Sequence, residues 1–404
     1  MDNTSRRRLV SFWLIGYSVF MVLYGTAIPT PLYELYQEAW QFSDGILTLI
    51  FSVYALSVVP GSLIFGQISD QIGRRKVVFT GLLVMALGSA TFVIADGVTG
   101  LFAGRIVQGF GVGILTGAAT AALVELRPDA PKLASIVSTG AFVGGTAMGA
   151  ILTGAFAQYG PAALQGPYLV HLGLLIPGFV GVYLMPETIQ SRPVRRVRLR
   201  RPTIPPSIRF RFLIGVCIGF ITMAVIGMFL SLAPSYITAL LGIENIVLSA
   251  GIVSLVFGAS GVAQISLRRF SYHRMMTLGM ILLVAGLCGF VVAVPIRSVV
   301  LLLSSSVLTG LGHGLSFMGA VGFINGISPD ENRGDVVSAF YAISYIGLGL
   351  PTVGIGFSAD VIGLYHAVLV FTVLLGVSGI ALVGIIRLKI NEFSDDSPQP
   401  GTPS

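Results

Sequence analysis

Charged residues are scarce in this sequence. They make up 10% of its 404 residues, whereas a soluble domain has about 25%. Cysteine is scarcer still, and the two that occur, Cys217 and Cys288, stand alone in separate apolar stretches. Their isolation argues against a disulfide framework and a cysteine-based metal site. The pattern G-x-x-x-x-G-K-[ST] is also missing from the sequence, which argues against an ATP-driven pump. We expect no cofactor and no enzymatic activity.

Long apolar runs fill the chain instead. Hydrophobic residues reach 54%, and the mean hydropathy is +0.89. A helix of about 20 apolar residues is long enough to cross a bilayer, and continuous apolar runs of this length form helices there. The sequence therefore predicts an all-α membrane protein of twelve transmembrane helices. They are placed at residues 10–33, 45–68, 77–95, 99–124, 133–158, 166–185, 211–237, 246–267, 275–294, 299–325, 335–358 and 364–386.

The positive charges lie almost wholly on one side of this topology. Of the 24 lysines and arginines, 22 fall at the termini or in the even-numbered turns, and Arg297 is the one in an odd-numbered turn. Because positively charged turns stay in the cytoplasm, both termini are predicted to be cytoplasmic. The net charge of +7 is then explained without a nucleic-acid partner. We expect a multi-pass protein of the plasma membrane, specifically a bacterial inner membrane.

The chain divides near its midpoint into two similar halves. A proline- and arginine-rich segment, 187–210, predicts a cytoplasmic linker between an N-terminal six-helix bundle, 1–186, and a C-terminal one, 211–388, with a polar tail at 389–404. Three short patterns recur, namely Q-I-S at 67 and 264, P-D at 128 and 329, and G-x-G-x-G at 109 and 310. A parallel repeat of six helices is typical of transporters whose substrate passes between the two halves.

Two motifs carry a family resemblance. The turn after the second span reads Gly66-x-x-x-Asp70-x-x-Gly73-Arg74-Arg75-Lys76, and the fourth span contains R-x-x-Q-G-x-G from Arg105 to Gly111. Both resemble signatures of the major facilitator superfamily, and with the twelve spans the resemblance covers essentially the whole chain. The glycines of the fifth span, from Gly140 to Gly154, resemble in part an element of the drug:proton antiporters. That element ends in G-P-x-x-G-G, whose proline and last glycine are absent here.

The resemblance implies a conformational latch. In the superfamily the aspartate after the second span meets the N-terminus of the eleventh, here near Asp335, and holds the outward-facing state. Applied to this chain, the latch residues are Gly66, Asp70, Gly73, Arg74, Arg75, Lys76 and Glu125. The alternative is that the three cations only orient the turn in the cytoplasm. Orientation does not require Asp70 or Gly73, which favours the latch.

Arg105 is the only lysine or arginine that the sequence places inside a span. Burying a guanidinium in a membrane is costly, so an intramembrane charge indicates a functional site. The resemblance implies that Arg105 transfers protons or holds an anionic substrate. The alternative is a side chain that extends to the outer interface.

Carboxylates are absent from the middle of every predicted span, so proton coupling needs another titratable group. The candidates are Glu34 at the outer mouth of the first span and the intramembrane residues His171 and His313. His313 lies between two glycines near the middle of the tenth span, and imidazole titrates near physiological pH. A lone histidine can equally be a packed, hydrogen-bonded residue.

The resemblance further implies that spans one, four, seven and ten line a central cavity. Their aromatic and methionine side chains suit amphipathic solutes better than sugars, which need many hydrogen bonds. The candidate substrate and proton pathway comprises Tyr17, Tyr24, Glu34, Arg105, Gln108, His171, Phe220, Met223, His313 and Phe317.

We therefore expect a monomeric secondary transporter in the lipid bilayer. It would export a small amphipathic molecule or metabolite by alternating access, with the proton as coupling ion. A uniporter or importer of a small organic anion is the alternative within transport. A non-transport membrane sensor is the alternative from another class.

Overall fold

The structure is a computed structural model that describes residues 3–189, 203–242, 245–267 and 269–388. Within these ranges all regular structure is helical, and twelve stretches are long and apolar enough to cross a membrane, as predicted. They are numbered here as spans 1 to 12. Their bounds are Asn3–Ala27 with Pro29–Trp40, Asp44–Ile72, Arg74–Val93, Val98–Leu126, Pro131–Tyr159, Gly166–Leu174 with Ile176–Leu184, Arg209–Ser231 with Ala233–Leu241, Ile246–Ser266, Tyr272–Ala293, Val299–Ile327, Arg333–Ile362 and Leu364–Leu388.

Spans 1, 6 and 7 are interrupted where the sequence predicted continuous helices. In each case a proline occupies the first or second position of the second segment, namely Pro29, Pro177 and Pro234. Proline has no N–H to donate, and its ring clashes with the preceding turn. The breaks therefore release backbone carbonyl groups that need other donors.

The two ends of the molecule differ in charge. Because consecutive spans run in opposite directions, the even-numbered turns gather at one end, which carries Arg74, Arg127 and Arg333. We call this the basic end. The other end carries Asp96 and Asp360 and is called the opposite end. The cytoplasmic location of the basic end remains a prediction.

Two bundles pack against each other along two helix pairs. Spans 1 to 6 form one bundle and spans 7 to 12 the other, with span 2 lying along span 11 and span 5 along span 8. Ser52 Oγ donates a hydrogen bond of 2.8 Å to the Gly349 carbonyl across the first pair. Ser254 Oγ donates one of the same length to the Ala147 carbonyl across the second. The bundles are therefore joined by matching contacts.

The span 2–span 11 pair is closed at one end of the molecule only. At the opposite end the Asp360 carboxylate accepts hydrogen bonds from Ser43 and Gly45 at the start of span 2. At the basic end, the Cβ positions of Gly66 in span 2 and Gly334 in span 11 have no other described residue within 4 Å. The described contacts of this pair therefore lie toward the opposite end, and the structure shows none at these two glycines of the basic end.

The predicted repeat is visible in the packing of glycines. Span 4 lies against carbonyl groups of span 2 as span 10 lies against those of span 8. The four contacts are Gly109 with Tyr54, Gly113 with Val58, Gly310 with Val256 and Gly314 with Ser260. These pairs correspond at offsets of 201 and 202 residues, so the G-x-G-x-G and P-D matches are in register.

The Q-I-S match, at an offset of 197, is out of register and was wrongly taken as part of the repeat. Span 2 has 29 residues and span 8 has 21, so the motif at the end of span 2 has no counterpart within span 8. In the register of the packing, Asp70 corresponds to Tyr272 and Gly73 to Met275. The charged turn is therefore still particular to the first half.

The predicted linker, 187–210, is described only at its two ends. Residues 190–202 of it, and the predicted tail 389–404, lie outside the described residues. At its start, Glu187 and Thr188 fold onto the turn between spans 2 and 3 and the end of span 4. At its end, a short 3-10 helix, Pro206–Ile208, leads into span 7.

Gly314→Ala is expected to destabilise the protein, because the added methyl group would overlap the Ser260 carbonyl. Overpacking of this kind costs about 1–3 kcal/mol. The midpoint of thermal unfolding in detergent should fall by several degrees. The matched control is Gly258→Ala in span 8, where the Cβ position has open space among the described residues. Equal midpoints for the two variants would contradict the close packing.

Candidate functional site

The turn between spans 2 and 3 is tied to span 4 by charge. Arg74 Nη1 lies 2.5 Å from Asp70 Oδ1, and Arg74 Nη2 lies 3.2 Å from Glu125 Oε1. The Arg74 side chain is 13% exposed, whereas that of Asp70 is 66% exposed. The structure thus brings Glu125 and Arg74 together as the sequence suggested. Over the described residues it shows no contact between Asp70 and span 11, so the latch remains a prediction for the state in which the basic end is closed.

Gly73 and Glu187 shape the same turn. Gly73 has a φ of 105°, in the left-handed region that favours glycine. Glu187 Oε1 accepts a hydrogen bond of 2.8 Å from the Arg74 N–H, the first of span 3, and a side chain at Gly73 would overlap this carboxylate. Thr188 Oγ1 donates to Glu125 Oε2. Sequence reasoning missed Glu187 and Thr188, because their partners Arg74 and Glu125 lie 113 and 63 residues earlier in the chain.

The other motif residues have simpler environments. Arg75 donates to the Tyr183 carbonyl at 2.9 Å, and its guanidinium lies 5.7 Å from the centre of the Tyr183 ring. Lys76 and Gly66 are exposed. Arg75 therefore fastens span 3 to span 6.

Arg105 lies fully buried in span 4 and donates hydrogen bonds to span 1. Its Nε and Nη2 donate to Tyr33 Oη at 2.8 and 2.5 Å, and its Nη1 donates to the Thr26 carbonyl at 2.8 Å and to Gln108 Oε1 at 3.3 Å. These acceptors are neutral. The side chain does not extend to an interface, so its charge is stabilised by protein dipoles.

Aromatic rings surround the same guanidinium. It lies 5.4 Å from the ring centre of Tyr33, 5.8 Å from that of Phe51 and 5.1 Å from that of Tyr54. The negative face of an aromatic ring attracts a cation, more strongly where water is excluded. Arg105 thereby connects span 4 to spans 1 and 2.

The R-x-x-Q motif supplies hydrogen-bond donors to the carbonyl groups at the break in span 1. In an unbroken helix the Gly25 carbonyl would accept the N–H of residue 29, which is a proline and has none. Gln108 Nε2 donates to this carbonyl instead, at 3.2 Å. Arg105 binds the next carbonyl, that of Thr26. Because residues three apart share a helix face, one turn of span 4 binds both carbonyl groups at the end of the first segment.

His171 is satisfied within the N-terminal bundle. Its Nε2 lies 2.9 Å from the Met21 carbonyl, and its Nδ1 lies 2.8 Å from Ser89 Oγ. Since a carbonyl only accepts, Nε2 carries the proton and Nδ1 accepts from the serine. Its ring stacks on Tyr24 at 5.8 Å. Tyr17 also points to span 6, donating to the Leu174 carbonyl at 2.7 Å. These three predicted pathway residues connect spans 1, 3 and 6.

His313 has an unsatisfied nitrogen. Its Nδ1 lies 2.9 Å from Ser260 Oγ, which also accepts from Gln264 Nε2 at 3.0 Å. The side chain is buried, and its Nε2 has no hydrogen-bond partner among the described residues. The ring stacks on Phe317 at 5.8 Å. Unlike His171, His313 therefore retains the capacity to bind one more group.

A row of aromatic side chains connects the surroundings of Arg105 with His313. Phe317 lies 6.3 Å from Tyr341, which is 38% exposed. Tyr345 lies one helical turn from Tyr341 and near Tyr54, and Tyr54 contacts Arg105. We call Tyr54, Tyr345, Tyr341 and Phe317 the aromatic path. Sequence reasoning missed the span 11 tyrosines, although their spacing of four places them on one helix face.

The remaining predicted residues lie beside this path or near the opposite end. Phe220 and Met223 are half-buried in span 7, and the Phe220 backbone packs against Gly347 of span 11. Glu34 is half-buried on the second segment of span 1. Among the described residues no cluster of three or more histidine, cysteine, aspartate or glutamate side chains could hold a metal ion.

Twelve spans in two repeated bundles, with polar side chains buried inside each bundle, are typical of a membrane transporter. The chain belongs to the Major Facilitator Superfamily, whose family model matches residues 15–350. Members of this family and its structural neighbours are transporters rather than enzymes.

Similarity to individual proteins is partial in sequence and complete in fold. The chain is 29% identical over 133 residues to the inner membrane transport protein YajR of Escherichia coli (strain K12), which is 33% of this chain and 28% of that protein. It is 32% identical over 142 residues to a probable sugar efflux transporter of Helicobacter pylori (strain G27), which is 35% of this chain and 33% of that protein. The matches thus span about a third of these relatives.

The fold extends over a whole solved structure. A bacterial homolog of the human lysosomal transporter Spinster, in an inward-facing and unoccupied conformation, superposes with a TM-score of 0.74. The match covers 98% of this chain and 99% of that one at 14% identity. At this identity the similarity shows the fold alone.

Arg105→Lys is expected to destabilise the protein although it keeps the charge, because an ammonium group cannot reach the acceptors on Tyr33, Thr26 and Gln108 together. Leaving a buried acceptor unpaired costs about 1–3 kcal/mol. Thermal unfolding in detergent should show a midpoint several degrees below that of the control Arg297→Lys, at an exposed turn. A midpoint equal to that of the control would show that the hydrogen bonds from Arg105 to span 1 do not stabilise the fold.

Proposed function

We propose that the protein exports a small, largely apolar organic solute by alternating access, in exchange for protons. The observation that carries this proposal is the unsatisfied Nε2 of His313 at the end of the aromatic path. A buried polar atom without a partner costs about 1–3 kcal/mol. A proton with its water, or a polar group of a solute, would recover that free energy.

The aromatic path supports an apolar and planar part in the solute. Phe317 and Tyr341 offer ring faces, and Tyr341 is the more exposed of the two. Binding sites for drug-like solutes combine such apolar walls with a few polar groups that fix orientation. A sugar would require many more hydrogen-bonding side chains than this lining supplies.

Competition for one nitrogen supports exchange. Imidazole titrates near physiological pH, and Ser260 with Gln264 fixes the ring through its other nitrogen. A proton on Nε2 and a solute group that donates a hydrogen bond to Nε2 need the same lone pair, so binding of one favours release of the other. Glu34, near the opposite end, is a second candidate proton acceptor on the same pathway.

The conformation supports alternating access. If the basic end is cytoplasmic, as the charge distribution predicts, the present structure opens inward, like the solved Spinster homolog. In the reverse state the basic end closes, and Asp70 would meet the N-terminus of span 11. One chain contains both bundles and the path between them, so a monomer suffices.

Uptake of a small organic anion is the second candidate. The hydrogen-bond acceptors of Arg105 are a hydroxyl, a carbonyl and an amide rather than a carboxylate. An anion admitted between Tyr33 and Tyr54 would neutralise this charge.

Proteoliposomes with an acidic lumen distinguish these candidates. The probes are radiolabelled chloramphenicol, which is aromatic and uncharged, benzoate, which is an anion, and xylose, which is a polyol. We expect the wild type to accumulate chloramphenicol as protons leave. His313→Gln should lower gradient-driven accumulation at least about tenfold, which corresponds to about 1.4 kcal/mol and lies within the range for one buried interaction. His171→Gln, in the other bundle, should retain gradient-driven accumulation.

If chloramphenicol equilibrates at the same rate and to the same level with and without the pH gradient, the proposed proton exchange and the proposed role of His313 are wrong. Benzoate accumulation that requires Arg105 and not His313 would replace the proposal by the anion candidate. Xylose transport alone would contradict the apolar solute.

A further inference from the structure

The bundles meet along the span 2–span 11 pair and the span 8–span 5 pair, which we call the two seams. The contacts of one seam repeat those of the other. The residues of the span 2–span 11 seam and those of the span 8–span 5 seam correspond at an offset of 202. The matching contacts are Ser52 with Gly349 and Ser254 with Ala147, each at 2.8 Å, and Gly356 against the Asp44 carbonyl and Gly154 against the Ile246 carbonyl. Both seams therefore bring a helix start to the end of the partner helix, at the opposite end of the molecule.

At the end of each seam, a side chain of one bundle caps the start of a helix in the other bundle by accepting its hydrogen bonds. Asp360, in the last turn of span 11, accepts from the Gly45 N–H at 3.2 Å and from Ser43 Oγ at 2.7 Å. Gln158, in the last turn of span 5, accepts from the Ile246 N–H at 2.9 Å. Asp360 and Gln158 are also 202 residues apart. The first N–H groups of a helix have no partner within it, so the caps satisfy groups that would otherwise need water.

The local N-caps leave these N–H groups free for the other bundle. Ser43 accepts from the Ile46 N–H, and Asn245 accepts from the Leu248 N–H. Neither accepts from the backbone N–H that Asp360 or Gln158 binds. The helix starts are therefore completed only when the two bundles are closed at this end.

The two caps differ in charge. A carboxylate near a helix N-terminus is stabilised by the helix dipole, whereas an amide gains much less. Asp360 carries a carboxyl group, and Gln158 carries a neutral amide. The span 2–span 11 cap should therefore be the stronger of the two.

The geometry points to Asp360 and Gln158 as positioning residues of the transport cycle, which cap spans 2 and 8 across the bundle interface and hold the opposite end closed. When this end opens, both caps break together and water accepts the hydrogen bonds of the N–H groups. The inference rests on the alternating access of the proposed function, and not on its solute or its proton.

Double electron–electron resonance on the full chain in lipid nanodiscs tests it. Both native cysteines are replaced by serine. One pair of spin labels sits at Ile94 and Ile296, exposed at the opposite end of the two bundles, and another at Lys132 and Glu331, exposed at the basic end. Asp360→Asn keeps an acceptor but loses the charge, so the ratio of short to long distances at the opposite end should fall about two- to fivefold. Gln158→Glu adds a charge to the weaker cap and should raise that ratio by a similar factor.

Glu38→Gln is the matched control, because it removes an exposed carboxylate at the same end outside the seams. It should leave both distance distributions unchanged. Ser52→Ala and Ser254→Ala, which are equivalent by the repeat, should lower the ratio equally. Gln158→Glu keeps the test valid should Asp360→Asn fail to fold.

Two results would overturn the inference. In the first, the wild type shows both short and long distances at the opposite end, and neither Asp360→Asn nor Gln158→Glu changes their ratio. The other is a shift in the same direction for both variants. A single unchanging distance in every variant, including Asp360→Ala, would instead contradict alternating access itself.

Discussion

In this membrane protein, backbone polar groups without a hydrogen-bond partner in their own helix determine which side chains connect the spans. In a bilayer no water replaces a missing hydrogen bond, so each such group must find a protein donor or acceptor. Pro29 releases the Gly25 carbonyl, which Gln108 binds. The starts of spans 2 and 8, at the opposite end of the molecule, leave N–H groups that Asp360 and Gln158 bind in place of water. The side chains that repair the backbone are therefore those that connect the spans.

This constraint explains why the polar residues are few and unevenly placed. Arg105 and Gln108 lie one turn apart because the break in span 1 presents two adjacent carbonyl groups. His171 stabilises the N-terminal bundle through Met21 and Ser89. His313, in the other bundle, is held through one nitrogen only. The same fold thus provides a structural histidine in one half and an unsatisfied one in the other.

Much of the fold could be predicted from the sequence. The apolar runs gave all twelve spans, and the glycines of spans 4 and 10 marked the repeat that their packing confirms. The breaks in spans 1, 6 and 7 were missed, because a proline within an apolar run does not show whether the helix stops or continues. The Q-I-S match was misleading, because three residues carry little information about register.

The candidate site was only partly accessible to sequence reasoning. Arg105, Gln108 and Glu125 stood out because charge and amide groups are rare within or beside apolar runs. The partners Tyr33, Ser260 and Glu187 did not, because each is distant in the chain and of a common type. Asp360 was visible only as an acid near a span end. Its role depends on the start of span 2, which lies more than three hundred residues earlier.

The central claim is that the span 2–span 11 pair closes one end at a time, with Asp360 capping span 2 in the present structure and Asp70 proposed to cap span 11 in the other state. The most direct test is the effect of Asp70→Asn on the two label pairs in nanodiscs, with Asp330→Asn as the exposed acid control at the same end. The account predicts longer distances at the basic end and shorter ones at the opposite end, which is the reverse of the shift from Asp360→Asn. The double variant should return close to the wild-type distribution. A shift in the same direction as Asp360→Asn, or none at the basic end, would contradict the account.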